Sequence, residues 1–297
     1  MATSVGKKAI DLVVIVGPTA SGKSDLAMRV AQEYNGEIIC ADSRTIYKYM
    51  DIGTAKPSAE DQAKVPHWGL DIAEPGRVFT AADFQSYANK TIADVQSRGR
   101  LPVLVGGSGL YIDGVILDYQ FGVPQPEKRQ QFESLSIEEL KAYCYKNNVE
   151  LPKNTENRRY IVRAIEQKKI NDKRLVQPQE GTLVVGLTTD NEHLRSKIGE
   201  RIEHMFDLGV VNEAKMLGEK YSWDSEAMTG NIYRLIRQFL DGEFDEAELK
   251  RRCIVADWRL AKRQKTWFKR HNFIQWKIAD EAFEFISAHL SANESAE

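Results

Sequence analysis

The sequence predicts an α/β fold, a parallel sheet core with a small helical insertion and a helical C-terminal part. Two observations predict it. Short apolar runs at 12–16, 37–41, 101–105 and 183–187 alternate with helical patterns, the signature of a sheet buried on both faces. Two of those runs end in glycine-rich loops, Gly17-Pro18-Thr19-Ala20-Ser21-Gly22-Lys23-Ser24 and Gly106-Gly107-Ser108-Gly109, at strand ends where open α/β sheets bind ligands.

The first element is a strand over 10–16, followed by a helix over 22–34. Between them stands G-x-x-x-x-G-K-[ST] in the strand–loop–helix context that gives it meaning, which makes the core P-loop NTPase-like. Glycines let successive N–H groups turn inward on a phosphate, and the helix N-terminus adds partial positive charge. Lys23 adds a full charge, and the Ser24 hydroxyl suits Mg²⁺. This loop says diphosphate or triphosphate; it does not say which molecule carries it.

The second strand, 37–41, ends in Asp42-Ser43, which places Asp42 near the phosphate loop. In an NTPase such an Asp holds Mg²⁺ through water; in a transferase it accepts a proton from the nucleophile; it also suits a helix cap. Residues 44–80 hold turn formers and little periodicity, and His67, Trp68 and Leu70 argue against disorder. His67 reads as a structural hydrogen-bonding residue. Thr80 starts a helix whose apolar stripe is Phe84, Tyr87, Ala88, Ile92 and Val95, and 98–100 ends it. The strand 101–105 then leads to Ser108, which offers a hydroxyl to a phosphate oxygen or serves only the turn.

The character changes from about 118 to 157, which reads as the small helical insertion dividing a core segment, 1–117, from 158–297. A helix over 157–167 carries Arg158, Arg159 and Arg163, either a solvated face or an RNA contact. The strand 183–187 returns to the sheet, and everything after about 192 reads helical. Between 251 and 270 stand eight Lys/Arg against one Asp. On a helical wheel Arg252, Arg259, Arg263 and Arg270 share one stripe, with Ile254, Ala261 and Phe268 opposite. Such a stripe suits a solvated face or the phosphates of a nucleic acid.

Bulk properties narrow the class. A net charge of −2 supplies no global attraction to nucleic acid, so any such attraction is local. Cys40, Cys144 and Cys253 are scattered and odd in number, which argues against a disulfide framework or a metal spacing and suits a reducing cytoplasm. With no apolar leader at 1–8 and no run long enough for a membrane span, the expectation is a cytoplasmic enzyme.

These residues carry a resemblance. The phosphate loop, Asp42-Ser43, Met50-Asp51-Ile52-Gly53-Thr54-Ala55-Lys56-Pro57, Leu104-Val105-Gly106-Gly107-Ser108-Gly109-Leu110-Tyr111 and Ala261-Lys262-Arg263-Gln264-Lys265-Thr266-Trp267-Phe268 resemble the tRNA dimethylallyltransferase (tRNA isopentenyltransferase) family, in order and over nearly the whole chain. The resemblance implies that Gly17, Pro18, Thr19, Ala20, Ser21, Gly22, Lys23 and Ser24 hold the diphosphate of dimethylallyl diphosphate, with Mg²⁺ on Ser24. It implies transfer of the dimethylallyl group to N6 of adenosine 37, beside the anticodon of tRNA. Asp42 would be the general base, and Lys23 and Ser108 would activate the diphosphate. Contacts to the anticodon stem-loop would come from Asp42, Ser43, Arg44, Thr45, Ser108, Arg129, Arg159, Arg163, Lys262, Arg263 and Lys265, with the segment 229–233 adding to them. A monomer is expected.

The chain departs from the family pattern in places. Ser108 stands for a usual Thr, Thr45 for a common Gln, Lys197 for an Arg, and Tyr160 and Trp258 for common arginines. The rivals are an adenylate isopentenyltransferase acting on free AMP, ADP or ATP, against which the basic 251–270 helix argues, and a P-loop small-molecule kinase or ATP-binding module.

Overall fold

Leu12–Val16 (β1) are five apolar residues in a row and all are buried, as a strand covered on both faces requires. The computed structural model describes residues 9–121, 132, 134–152, 154–166 and 175–294. The chain forms two units, Met1–Ile116 with Pro178–Glu297, and Leu117–Gln177.

In the larger unit β1 leads to helix α1 (Lys23–Glu33) and strand β2 (Gly36–Cys40). A short helix α2 (Ala59–Lys64) and a two-residue strand β3 (His67–Trp68) follow within the stretch expected to be irregular. Neither element carries a pattern that a sequence reader can count. Helix α2 buries no residue, and Ser58 caps it by accepting the Asp61 N–H. β3 is held by pairing with β2 and by the Trp68 indole N–H, which donates to the buried Glu37 carboxylate at 2.7 Å. Arg98 and Arg100 pair with the same carboxylate and hold it below its usual range, the Arg98 hydrogen bond first.

Helix α3 (Ala81–Ser97) starts at Thr80 with a complete capping box to Asp83 and buries Phe84, Ala88, Thr91 and Val95. Strand β4 (Leu101–Gly106) and helix α4 (Gly109–Ile116) complete the first half.

The smaller unit holds α5 (Ile137–Lys146) and α6 (Arg158–Glu166). Its core joins Leu140 and Cys144 of α5 to Val149 and to Ile161, Val162 and Ile165 of α6. That packing moves the boundary expected at 157: the apolar face of α6 has its partners in α5, so the unit runs to Gln177.

Strand β5 (Thr182–Leu187) returns to the sheet, followed by α7 (Asn191–Asp207), α8 (Val210–Tyr221), a 3₁₀ turn (Glu226–Thr229), α9 (Asn231–Leu240) and α10 (Glu246–Phe268). Strand β6 (Gln275–Lys277) corrects the all-helical expectation for the C-terminal part; three edge residues are too few to show alternation. Helix α11 (Ala279–Glu294) follows, and Ala282, Ile286 and Leu290 join the core beneath β1 and α1.

The six strands are all parallel, in the order β3-β2-β4-β1-β5-β6. β1 sits between β4 and β5, with Ile15 opposite both Val105 and Val185. The loops that follow β1, β2, β4 and β5 therefore emerge at one edge of the sheet. No helix among the described residues is long and apolar enough to cross a membrane.

Candidate active site

At that carboxyl edge the larger unit contains a cavity of 870 Å³. Thr19 through Ser24 line it, while Gly17 and Pro18 form the base of the loop. Ala20 and Gly22 both take positive φ, 60° and 82°, which curls the backbone and brings consecutive N–H groups toward one point. Helix α1 begins immediately after Gly22, so its N-terminus faces the same point. The Ser21 hydroxyl is buried with no hydrogen-bond partner among the described residues, an oxygen suited to a ligand. Ser24, in the first turn of α1, is exposed to the cavity.

The Lys23 ammonium donates to the Pro18 carbonyl at 2.5 Å. Burial lowers its pKa to about 8; the Asp42 carboxylate opposes that shift and the Arg201 guanidinium adds to it. A cation with a weakened hold on its proton is one that an incoming anion stabilises strongly.

The ends of β2 and β4 are stitched together. Ala41 donates its N–H to Val105 O at 2.7 Å, and its own carbonyl would lie 2.0 Å from a Cβ at position 106. Only glycine fits that crossing. Beyond it, the Ser108 hydroxyl accepts the Ser43 N–H at 2.9 Å, and Asp42 Oδ1 accepts the Arg44 N–H at 2.8 Å. Asp42 thus does serve a local turn, as a capping Asp would, but its carboxylate also lines the cavity. Ser43, Thr45 and Ser108 line it too, with Thr45 buried and its hydroxyl unpartnered among the described residues. Arg44 lines the cavity while its guanidinium donates inward, to the carbonyls of Glu226 and Ala227 and to Thr229 Oγ1, so it ties this loop to the 226–229 turn.

Four cavity residues were not singled out in the sequence. Arg201 of α7 donates to the Thr19 hydroxyl and to Thr54 O, and its buried Nε has no partner among the described residues. Asp257 of α10 stands 3.9 Å from that guanidinium, and burial pushes its carboxyl upward against the opposing pull of Arg201 and Asn231. Gln264, also of α10, accepts the Thr19 N–H at 2.7 Å. Asn231 begins α9 at the cavity wall. Gln264 lies inside the motif 261–268 and Asn231 inside the segment 229–233; Arg201 and Asp257 are single charged residues on helices that look solvent-facing in a linear reading.

The basic stripe on α10 is split by the structure. Arg252 pairs with Glu248 at 2.7 Å and lies over the Phe244 ring, and Arg270 pairs with the buried Asp113 at 3.0 Å. The first is spent within α10 and its N-terminal flank, and the second ties the C-terminal end of α10 to Asp113 of α4. Arg259, Lys262 and Arg263 stay exposed, Arg263 at the cavity and Lys262 beside the Trp258 ring; Lys265 is half-buried. The buried face is Leu249, Cys253, Ala261 and Phe268, with Ile254 only half-buried. Trp267 packs inward and donates to Asp113 at 3.0 Å. In the smaller unit Arg163 is exposed on α6. Arg129 and the side chain of Arg159 lie outside the described residues.

The arrangement can hold a diphosphate against N–H groups, an ammonium and a guanidinium, and it presents a carboxylate and a hydroxyl beside it. A family model described as IPP transferase matches residues 45–271. The tRNA dimethylallyltransferase of Thermoanaerobacter pseudethanolicus is 36% identical over 293 residues, 92% of this chain and 93% of the relative. That of Streptococcus pneumoniae is 38% identical over 268 residues, 87% of this chain and 89% of the relative. The crystal structure of the full-length tRNA isopentenylpyrophosphate transferase of Bacillus halodurans superimposes with a TM-score of 0.73 at 32% identity, covering 97% of this chain and 99% of that one. A eukaryotic dimethylallyltransferase captured acting on tRNA shares the fold, with a TM-score of 0.73 at 21% identity over 86% of this chain and 69% of that chain.

Proposed function

We infer the reaction of this chain from its kinship: it belongs to the IPP transferase family, and it transfers a dimethylallyl group to tRNA. One observation carries the assignment of parts. A single cavity holds the phosphate loop with Lys23 and Arg201 on one side and the carboxylate of Asp42 and hydroxyl of Ser108 on another.

The acceptor is N6 of the adenine next to the anticodon, adenosine 37. An exocyclic adenine amine is a weak nucleophile, because its lone pair is delocalised into the ring. The reaction therefore depends on the leaving group. The allylic C–O bond breaks, the N–C bond forms, diphosphate departs with the bonding pair, and the amine proton passes to Asp42. Negative charge grows on the diphosphate as that bond breaks. The N–H groups of the loop, Lys23, Arg201 and Ser108 stabilise that growing charge more than they stabilise the ground state.

The Ser24 hydroxyl is an oxygen donor lining the same cavity, the chemistry that a hard divalent cation prefers. It would hold Mg²⁺, and the ion would supply further charge neutralisation on the leaving group.

Adenine must leave its stack to reach the cavity, at a cost of a few kcal/mol. Phosphate contacts from Lys262, Arg263 and Lys265, with the 42–45 loop, Ser108 and the 229–233 segment, offset it. Arg129, Arg159 and Arg163 would add contacts from the smaller unit. The setting is cytoplasmic.

Incubation of the protein with dimethylallyl diphosphate and unmodified tRNA, followed by mass spectrometry of adenosine 37, tests the reading. A prenylated adenosine is expected. Prenylation of free AMP in preference to tRNA would support an adenylate enzyme, and ATP hydrolysis without prenyl transfer would support a kinase or ATP-binding module.

A further inference from the structure

The side chain of Glu213, on α8, is buried and lies outside every motif above. Its Oε2 accepts the N–H groups of Asp51 at 2.8 Å and Ile52 at 2.7 Å. Its Oε1 accepts the Gly53 N–H at 2.9 Å and the Tyr233 hydroxyl at 2.9 Å. Four donors thus converge on one carboxylate. Three are consecutive backbone amides, which have no other acceptor among the described residues. Tyr233 presses on the same turn: a Cβ at position 53 would lie 2.6 Å from its hydroxyl oxygen, so only glycine allows the approach.

The clamped loop is a cavity wall. Gly53, Thr54, Ala55 and Pro57 line the cavity, and so does Tyr233. The Thr54 carbonyl accepts from Arg201, whose other nitrogen donates to the Thr19 hydroxyl of the phosphate loop. A chain of direct contacts therefore runs from Glu213 through the 51–54 turn to the guanidinium and on to the phosphate loop. Thr54 is braced from the other side as well, its hydroxyl donating to Met50 O at 2.5 Å.

We propose that Glu213 is a positioning residue for the donor: by clamping the 51–53 amides together with Tyr233, it sets where Arg201 meets the diphosphate. The proposal rests on the donor site assigned above. Replacing the carboxylate by an amide turns one acceptor into a donor facing N–H groups. The turn then relaxes, and the guanidinium loses its fixed carbonyl partner. A small misplacement of a group that binds the leaving diphosphate is costly to rate and affinity.

The test compares wild type with Glu213→Gln and Tyr233→Phe by two readouts. Calorimetry with inorganic pyrophosphate alone reads the anion half of the cavity, and steady-state kinetics separates KM for dimethylallyl diphosphate from KM for tRNA and from kcat. Glu213→Gln should weaken pyrophosphate binding and raise the donor KM by about 10-fold, an effect on the order of one lost hydrogen bond to a charged group. Tyr233→Phe should move both by about 3-fold in the same direction. For Glu213→Gln the tRNA KM should stay within twofold. A merely structural role would reduce the folded fraction, and with it kcat, while leaving donor KM and pyrophosphate affinity unchanged; that result overturns the proposal. If Glu213→Gln does not fold, Tyr233→Phe alone decides in the same way. Wild-type protein that binds pyrophosphate but transfers no prenyl group would sink the functional assignment, while the pyrophosphate comparison would still judge the clamp.

Discussion

The hydroxyl of Ser108 accepts the backbone N–H of Ser43 at 2.9 Å, joining the loop after β4 to the loop after β2. Because the hydroxyl oxygen is the acceptor, its own hydrogen is free to point at a ligand oxygen in the cavity. Ser108→Ala removes both functions at once. Turnover in tRNA prenylation should fall about 100-fold, the range seen when a preorganised donor to developing negative charge is lost. Ser108→Thr keeps the hydroxyl and should retain turnover within a few-fold. Equal turnover for the alanine variant would remove Ser108 from the chemistry.

Asp42 has a structural and a chemical duty, and they can be separated. In Asp42→Asn the side-chain oxygen still accepts the Arg44 N–H, so the turn persists, but the amide cannot take a proton. Single-turnover rates should fall by at least about 100-fold, as for other removed general bases, while the stem-loop still binds within a few-fold in a filter-binding assay. A variant that turns over normally is incompatible with Asp42 as base.

Lys23 links the donor site to pH. Its ammonium loses its proton near pH 8 in the folded chain, against 10.5 in the unfolded one. Donor affinity measured by calorimetry should therefore weaken as pH rises through about 8, and Lys23→Met should bind about 10-fold more weakly with that dependence flattened. Stability moves the other way. Between about 8 and 10.5 the unfolded chain holds the proton that the folded chain has released, so this group makes unfolding less favourable as pH rises across that window. A donor affinity that is level from pH 7 to about 9 would contradict the assignment.

Arg263 is exposed at the cavity and sits on the part of α10 whose basic residues are not used for docking. Arg263→Ala should weaken stem-loop binding and reduce the slope of log affinity against log salt by about 1, the signature of one lost phosphate contact. Arg252→Ala, which loses an internal pair with Glu248, should leave that slope unchanged. Identical salt slopes for wild type and Arg263→Ala would take this residue off the RNA path.

What the sequence showed depended on how local the signal was. β1, the glycine loop after it, the helix start at Thr80 and the strand leading to Ser108 are each written in a few adjacent residues, and each is found where expected. β3 and β6 were missed because two or three residues on a sheet edge take their conformation from a neighbour, not from their own pattern. The helix with Arg158 was placed in the wrong unit because periodicity shows that a helix has an apolar face, but not which core receives it. The same limit applied to the cavity. Glu213, Arg201 and Asp257 are charged residues on helices, and their roles come from partners more than a hundred residues away, or, for Arg201 and Asp257, from each other. Asp42 and Lys23 stood out because strand ends and glycine loops announce ligand contact.

Gln264 holds the amide of Thr19 across a separation of 245 residues. During synthesis the anion cradle is therefore translated early but finished late. A ribosome that has made the first two hundred residues has made every glycine of that loop and none of α10. Nucleotides are abundant in any cell, and a half-built chain would meet them with its loop unsecured, because the Thr19 amide gains its partner only when α10 docks.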